Sequence, residues 1–145
     1  MSLLLKLRAL SLPVPEPAAY RIQRVGLFCR MDLVLKEITG AQNLVEILRK
    51  REIEQDVWQQ IGNTIHEFHR AGVCHSDLNA HNILLDTENK VWLVDFDKSC
   101  LIKQFPKVWR AQNLARLRRS LRKEAARNAT FYWSEQDWQQ LLHGY

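Results

Sequence analysis

Glycine is scarce in this chain of 145 residues: five in all, the nearest two ten positions apart. No internal stretch can therefore form a glycine-rich loop of the kind that cradles phosphates. Cysteine is limited to Cys29, Cys74 and Cys100, with no C-x-x-C pair. That excludes a zinc ribbon and a disulfide framework, and fits a reduced, cytosolic compartment. Cys74 is expected as a buried structural thiol. Apolar runs are short. The leucine-rich start, residues 2–10, is broken by Lys6 and Arg8, shows no signal-peptide cleavage pattern and falls well below the ~20 residues needed to span a bilayer. Membrane contact is expected to be peripheral. Repeats and low-complexity tracts are absent.

Acid is also scarce in one place. Residues 103–127 hold nine Lys and Arg against the single Glu124, a local charge of +8 in a chain of net charge +5. The rest of the chain is therefore slightly acidic. A local basic excess fits an anionic partner, whether phosphates or an acidic membrane surface, and equally fits a solvated helix face. Nucleic acid is not an expected partner, since the basic helix is its sole support.

What is present reads as one ordinary globule, with 46% apolar and 26% charged residues. Residues 3–10 read as a helix end. Leu12-Pro13-Val14-Pro15-Glu16-Pro17 is forced to be extended, because proline fixes φ and lacks an N–H. Two strands, 18–25 and 27–36, turn at Gly26, with Tyr20, Ile22, Leu27, Met31, Leu33 and Leu35 as packing positions. Asn43 caps a short helix through Arg49. Val57, Ile61, Ile65 and Phe68 recur at helical spacing and predict a helix over 54–71, stopped by Gly72. Ile83–Leu85 and Val91–Val94 flank a turn-rich linker and predict a hairpin. From Pro106 a helix carries Val108, Ala111, Leu114, Leu117 and Leu121 on one side, and Glu135–Leu142 forms a last short helix. Trp109, Trp133 and Trp138 are expected as core or interfacial anchors.

Between the long helix and the hairpin lies His75-Ser76-Asp77-Leu78-Asn79-Ala80-His81-Asn82, and after the hairpin comes Val94-Asp95-Phe96-Asp97. A phosphoryl group in transfer spreads charge over its oxygens. Its catalysts need oxygen ligands for Mg²⁺ and a carboxylate to receive the proton of the attacking hydroxyl. Asp77 sits on a loop after a helix. Asn82, five residues on, can offer a neutral oxygen at a strand start. Asp95 ends the next strand, and the hairpin sets it beside Asn82. The spacing allows the three oxygens to converge. His75 is expected as a packed, hydrogen-bonding loop residue and His81 as solvent-facing.

The His-x-Asp-Leu-Asn-x-x-Asn loop and the Asp-Phe-Asp turn resemble the protein-kinase-like superfamily. The resemblance implies an α+β fold made mainly of the helical C-lobe plus the last strands of the N-lobe, with residues 1–38 as the N-lobe part and 39–145 as the C-lobe with its basic helix. It assigns Asp77 as catalytic base, Asn82 and Asp95 as Mg²⁺ ligands on the ATP phosphates, and His75 as the structural histidine. Lys36, Glu37 and Ile38 fall at the hinge that contacts adenine. Asn79, where serine/threonine kinases usually carry Lys, and Asp97, where they usually carry Gly, argue against a protein kinase. So does the missing Ala-Pro-Glu motif.

A finer resemblance is carried by residues 12–17, 68–73, 75–86, 91–97 and 113–121, and is to the 3-deoxy-D-manno-octulosonic acid (Kdo) kinases of bacterial lipopolysaccharide. It covers nearly the whole chain. It implies ATP- and Mg²⁺-dependent phosphorylation of a Kdo hydroxyl on a Kdo–lipid A glycolipid, at the cytoplasmic face of the inner membrane. The same resemblance calls for a glycine-rich loop, a strand Lys and a helix Glu ahead of residue 12, which this sequence does not contain. Met1 is expected to fall inside the helix that carries that Glu. The missing portion would come from an upstream extension, and without it turnover is expected to be feeble. The alternative is a non-catalytic kinase lobe that holds an anionic lipid or a partner through Arg116–Arg127.

Overall fold

The computed structural model describes residues 2–26, 28–102 and 108–145. Its elements run α1 (Ser2–Ala9), β1 (Pro17–Val25), β2 (Phe28–Leu35), β3 (Gln42–Asn43), α2 (Leu44–Leu48), α3 (Gln55–Arg70), β4 (Val73–Cys74), a 3₁₀ turn (Ala80–Asn82), β5 (Ile83–Leu85), β6 (Val91–Leu93), β7 (Cys100–Leu101), α4 (Val108–Arg127) and α5 (Glu135–Gly144). This is a mixed α+β fold with a helical C-terminal part. No helix among the described residues is long and apolar enough to cross a membrane.

The amphipathic helix α3 is the axis of the core. Val57, Trp58, Ile61, Ile65 and Phe68 are all buried along one face. Leu7 of α1, Leu44 and Leu48 of α2, Ile83 and Leu93 of the hairpin, Leu117 and Leu121 of α4 and Leu141 of α5 belong to the same cluster. Close approach of α5 to α3 depends on two glycines. A Cβ at Gly62 would collide with the carbonyl of Leu141, and one at Gly144 with the carbonyl of Gln59. Gly72 ends α3 at φ +80°, and its carbonyl accepts the Ile102 N–H at 2.8 Å. That bond extends the β4–β7 pairing, Val73 opposite Leu101 and Cys74 opposite Cys100.

Among the described residues, three short sheets complete the fold. β3, β5 and β6 form an antiparallel sheet in that order. Asn43 caps α2 through its side chain, which accepts the Glu46 N–H at 3.0 Å. β1 and β2 form a two-stranded ribbon with a register shift between Pro17 and Ala19. Its base is fixed by Glu16, whose carboxylate pairs with Lys36 at 2.9 Å and Arg8 at 3.8 Å. The hydrogen bond from Lys36, with the charges of Lys36 and Arg8, holds that carboxyl below the usual range against the opposing effect of desolvation.

The ribbon departs from the sequence expectation. Tyr20, Ile22, Leu33 and Leu35 do not pack; they are 55%, 60%, 37% and 40% exposed. A two-stranded ribbon has no second layer among the described residues to cover either face. The side chains of Leu27, Met31 and Cys29, and residues Lys103, Pro106 and Lys107, lie outside the described residues. The α4 stripe also differs. Val108 and Ala111 are exposed and Leu114 is half-buried, while Asn113 and Glu124 join Leu117 and Leu121 on the buried side. Cys74 is half-buried, not fully buried. Trp138 is a core residue and Trp109 and Trp133 are half-buried.

Candidate active site

The 75–82 loop is built outward from a buried polar chain. His75, 2% exposed, donates from Nε2 to the Val94 carbonyl at 2.9 Å, and its Nδ1 accepts the Asp77 N–H at 3.2 Å. Those two bonds require the neutral imidazole with its proton on Nε2. Burial lowers the pKa of His75 and sustains that form, against the Val94 hydrogen bond and the nearby Asp95 and Asp77 charges. One histidine thereby ties the backbone of Asp77 to the residue just before Asp95.

Asn113 of α4 holds His75 from behind. Its Oδ1 accepts the His75 N–H at 3.2 Å and its Nδ2 donates to the His75 carbonyl at 3.0 Å. The same Oδ1 faces Nε2 of His69 at 3.3 Å, and Nδ1 of His69 faces the Tyr145 hydroxyl at 2.7 Å. Because the Asn oxygen can only accept, His69 carries its proton on Nε2 and accepts from Tyr145.

The loop itself is closed by side-chain amides. Asn79 Oδ1 accepts the N–H groups of His81 and Asn82, at 2.8 and 3.2 Å. Asn82 Nδ2 donates to the Asp77 carbonyl at 2.9 Å. Ser76 bonds to Ser99 and to the Asp97 carbonyl, and the Ala80 N–H donates to Ser120 of α4 at 3.2 Å. Leu78 points inward, 1% exposed. His81 is half-exposed yet meets Glu124 at 3.5 Å, and Glu124 also meets Arg49 at 3.4 Å.

Within that frame the three expected oxygens stand as follows. The Asp77 carboxylate is half-exposed. Its Oδ1 pairs with Nη1 of Arg116 at 3.0 Å and its Oδ2 accepts from Nδ2 of Asn79 at 3.0 Å. With Asn82 Nδ2 committed to the Asp77 carbonyl, Asn82 Oδ1 is the amide atom left for another partner. Across the hairpin, the Val94 N–H donates to the Asn82 carbonyl at 3.1 Å, which sets Asp95 next to Asn82. Asp95 has φ +61°, in the left-handed region, although it is not glycine. Bonds through both ends of Val94 fix the chain just ahead of that turn. Its exposed carboxylate lines a cleft of about 340 Å³ with Phe96, Leu3 and Leu4 of α1 and Leu33 and Leu35 of β2. Lys36, Glu37 and Ile38 follow Leu35 in sequence but do not line this cleft, and the Lys36 ammonium is taken by Glu16.

No group of three or more His, Cys, Asp or Glu among the described residues gathers into a metal cage. Mg²⁺ does not require one, since it is held by one or two carboxylates together with substrate phosphates and water. An uncommitted amide oxygen and an exposed carboxylate on adjacent hairpin strands fit that donor set.

Asn113, Arg116 and Ser120 position the loop from 38 or more residues away in sequence, and the sequence reading did not give them these roles. The one local signal was a polar Asn113 four residues before the core residue Leu117, on the buried side of α4.

A family model described as "Lipopolysaccharide kinase (Kdo/WaaP) family" matches residues 1–145. The chain belongs to this family. It is 43% identical over 143 residues to the 3-deoxy-D-manno-octulosonic acid kinase of Vibrio vulnificus (strain YJ016), covering 99% of this chain and 59% of that protein. To the kinase of the same name from Photobacterium profundum it is 44% identical over 132 residues, covering 91% and 55%. To that of Haemophilus influenzae (strain 86-028NP) it is 42% identical over 148 residues, covering 99% and 60%. The chain thus spans somewhat more than half the length of these Kdo kinases.

Proposed function

We propose that this chain is the acceptor- and metal-binding part of a kinase that phosphorylates a hydroxyl of Kdo in the lipopolysaccharide inner core. The observation that carries this reading is the bonded unit of His75, Asp77, Asn82 and Val94. It ties the backbone of Asp77, whose carboxylate is half-exposed, to Asn82, whose amide oxygen is free, and to Val94, the residue before the exposed Asp95.

Asp77 is the general base for the acceptor hydroxyl. Asn82 Oδ1 and Asp95 hold Mg²⁺, and Lys36–Ile38 border the nucleotide. Bound MgATP supplies the phosphoryl group and the positive charge that stabilises its oxygens in transfer. His75 keeps the Asp77 backbone fixed in the neutral state, so the base does not drift as the acceptor enters. Residues 1–38 supply the last strands of the smaller lobe and residues 39–145 the larger.

The test is transfer of labelled phosphate from ATP to Kdo–lipid A. Asp77→Asn should lower the rate by about 10²–10⁴-fold, the span general-base catalysis covers. An Asp77→Asn variant that works as well as the unsubstituted protein removes Asp77 from that role.

A second reading is favoured by the outer face of α4. Arg119, Lys123 and Arg127 are exposed and have no ion-pair partner among the described residues. With Arg116 they form a ridge about 16 Å long, at 1.5 Å per residue. That ridge supports peripheral contact with an anionic glycolipid at the cytoplasmic face of the inner membrane. If the chain transfers no phosphate yet binds anionic vesicles in a salt-sensitive manner, it is a binding lobe.

A further inference from the structure

The two bonds that engage the Asp77 carboxylate differ in kind. Asn79 is neutral, lies two residues away and is itself fixed by the N–H groups of His81 and Asn82. Arg116 is charged, comes from another element and keeps 49% of its side chain exposed. Exposed ion pairs of this type are weak and exchange partners readily. One turn and two turns further along α4, Arg119 and Lys123 add positive charge that no acid among the described residues offsets. The face of α4 that carries Arg116 thus holds more positive charge than its ion pairs neutralise, leaving capacity for a second anion. The relatives are named for a substrate that is an acid.

The geometry points to Arg116 as the residue that reads the acceptor's carboxylate; this deepens the kinase reading above and rests on it. Before the acceptor arrives, the guanidinium occupies Oδ1 of Asp77. An acceptor that carries a carboxylate near its reacting hydroxyl offers the planar fork a two-bond partner, which a guanidinium matches better than an ammonium does. Arg116 turns to that carboxylate, and Oδ1 is released to face the hydroxyl. The hydroxyl proton then passes to Oδ1. The acceptor oxygen forms its bond to the γ-phosphorus of the nucleoside triphosphate, and the bond from that phosphorus to the bridging oxygen breaks with departure of the diphosphate. A neutral sugar leaves Arg116 on Asp77 and the base engaged. Arg116 thus couples acceptor choice to release of the base.

The test is equilibrium binding to the full chain, without nucleotide, of 3-deoxy-D-manno-octulosonic acid and separately of its methyl ester. Arg116→Gln should weaken binding of the acid about tenfold or more, the scale of a lost charge-assisted bond. Arg116→Lys should restore part of it. The ester should bind weakly to every variant and ignore Arg116. Asp77→Asn removes the competing anion and should tighten the acid by up to about fivefold; a merely structural arginine gives no such gain. The proposal is overturned by acid binding that Arg116→Gln leaves unchanged, by an ester that binds as well as the acid, by weaker binding in Asp77→Asn, or by no saturable binding to the unsubstituted chain. None of these readouts needs turnover. Failure of the phosphate-transfer test therefore leaves them standing, and their failure leaves that test standing.

Discussion

Acid should unfold this protein earlier than its carboxylates alone require, and His69 is the reason. The ring is 1% exposed. Burial holds its pKa at about 4 instead of 6.5, with the charges of Arg110, His66 and His75 pushing the same way and the Asn113 hydrogen bond opposing them too weakly. The unfolded chain therefore binds a proton near pH 6.5 that the folded chain refuses until about pH 4. The contribution to stability is complete above 6.5, declines as pH falls through this window, and is gone below the folded value. Linkage puts the loss at about 2 kcal/mol by about pH 5 and about 3 kcal/mol near the lower end. Urea unfolding at a series of pH values measures it. The control is His69→Gln, whose amide can still donate to Asn113 and accept from Tyr145 but does not titrate. His75 is also held below its ordinary value by burial, with the same sign, but it is present in both proteins and cancels in the comparison. The difference between the two profiles should open by about 2 kcal/mol between about pH 7 and about pH 5. Parallel profiles would refute the claim that burial keeps His69 neutral in the folded chain.

Two further outcomes are expected. Gly62→Ala should destabilise the protein by about 1–3 kcal/mol, because its Cβ meets the Leu141 carbonyl of α5; an unchanged urea midpoint would show that the helices can part freely. At Asp95, held at φ +61°, Asp95→Gly should be about 1 kcal/mol more stable than Asp95→Ala, since only glycine occupies that region without a Cβ penalty. Under the proposed function both variants should also lose Mg²⁺-dependent transfer, and equal stabilities would mean that the turn relaxes once the carboxylate is gone.

Much of the fold was legible because its determinants are local. The period of Val57, Ile61, Ile65 and Phe68 located α3 within a residue or so at each end, and Gly72 marked its stop. Asn43 does cap α2, and the two runs around residues 86–90 do pair as a hairpin. The ribbon shows where locality fails. Alternating apolar residues in β1 and β2 have the pattern of a half-buried strand, but pattern reports only what a face would accept; Tyr20 and Ile22 stay exposed, and Leu33 and Leu35 only line the cleft beside α1. The α4 stripe failed for the opposite reason. Asn113 and Glu124 are buried because each has partners far away in sequence, His75 and His69 for one, Arg49 and His81 for the other.

The candidate site divides along the same line. Asp77, Asn82 and Asp95 were visible as a spacing because a loop followed by a tight hairpin brings them together within a short stretch of chain. What holds and tunes them was not visible, since His75 is fixed by Asn113 and the Asp77 carboxylate is met by Arg116, both on α4. The two supports differ physically. The backbone of the loop is held by amides, a neutral histidine and main-chain groups, none of which salt screens appreciably. Of the bonds to Asp77, the Arg116 pair alone joins two exposed opposite charges, and it is the one that salt or a competing anion weakens. An arrangement of that kind keeps the carboxylate in place while leaving its charge partner free to change. The proposed role of Asp77 as a proton acceptor that waits for its substrate requires both properties, and a purely structural ion pair has no use for the second.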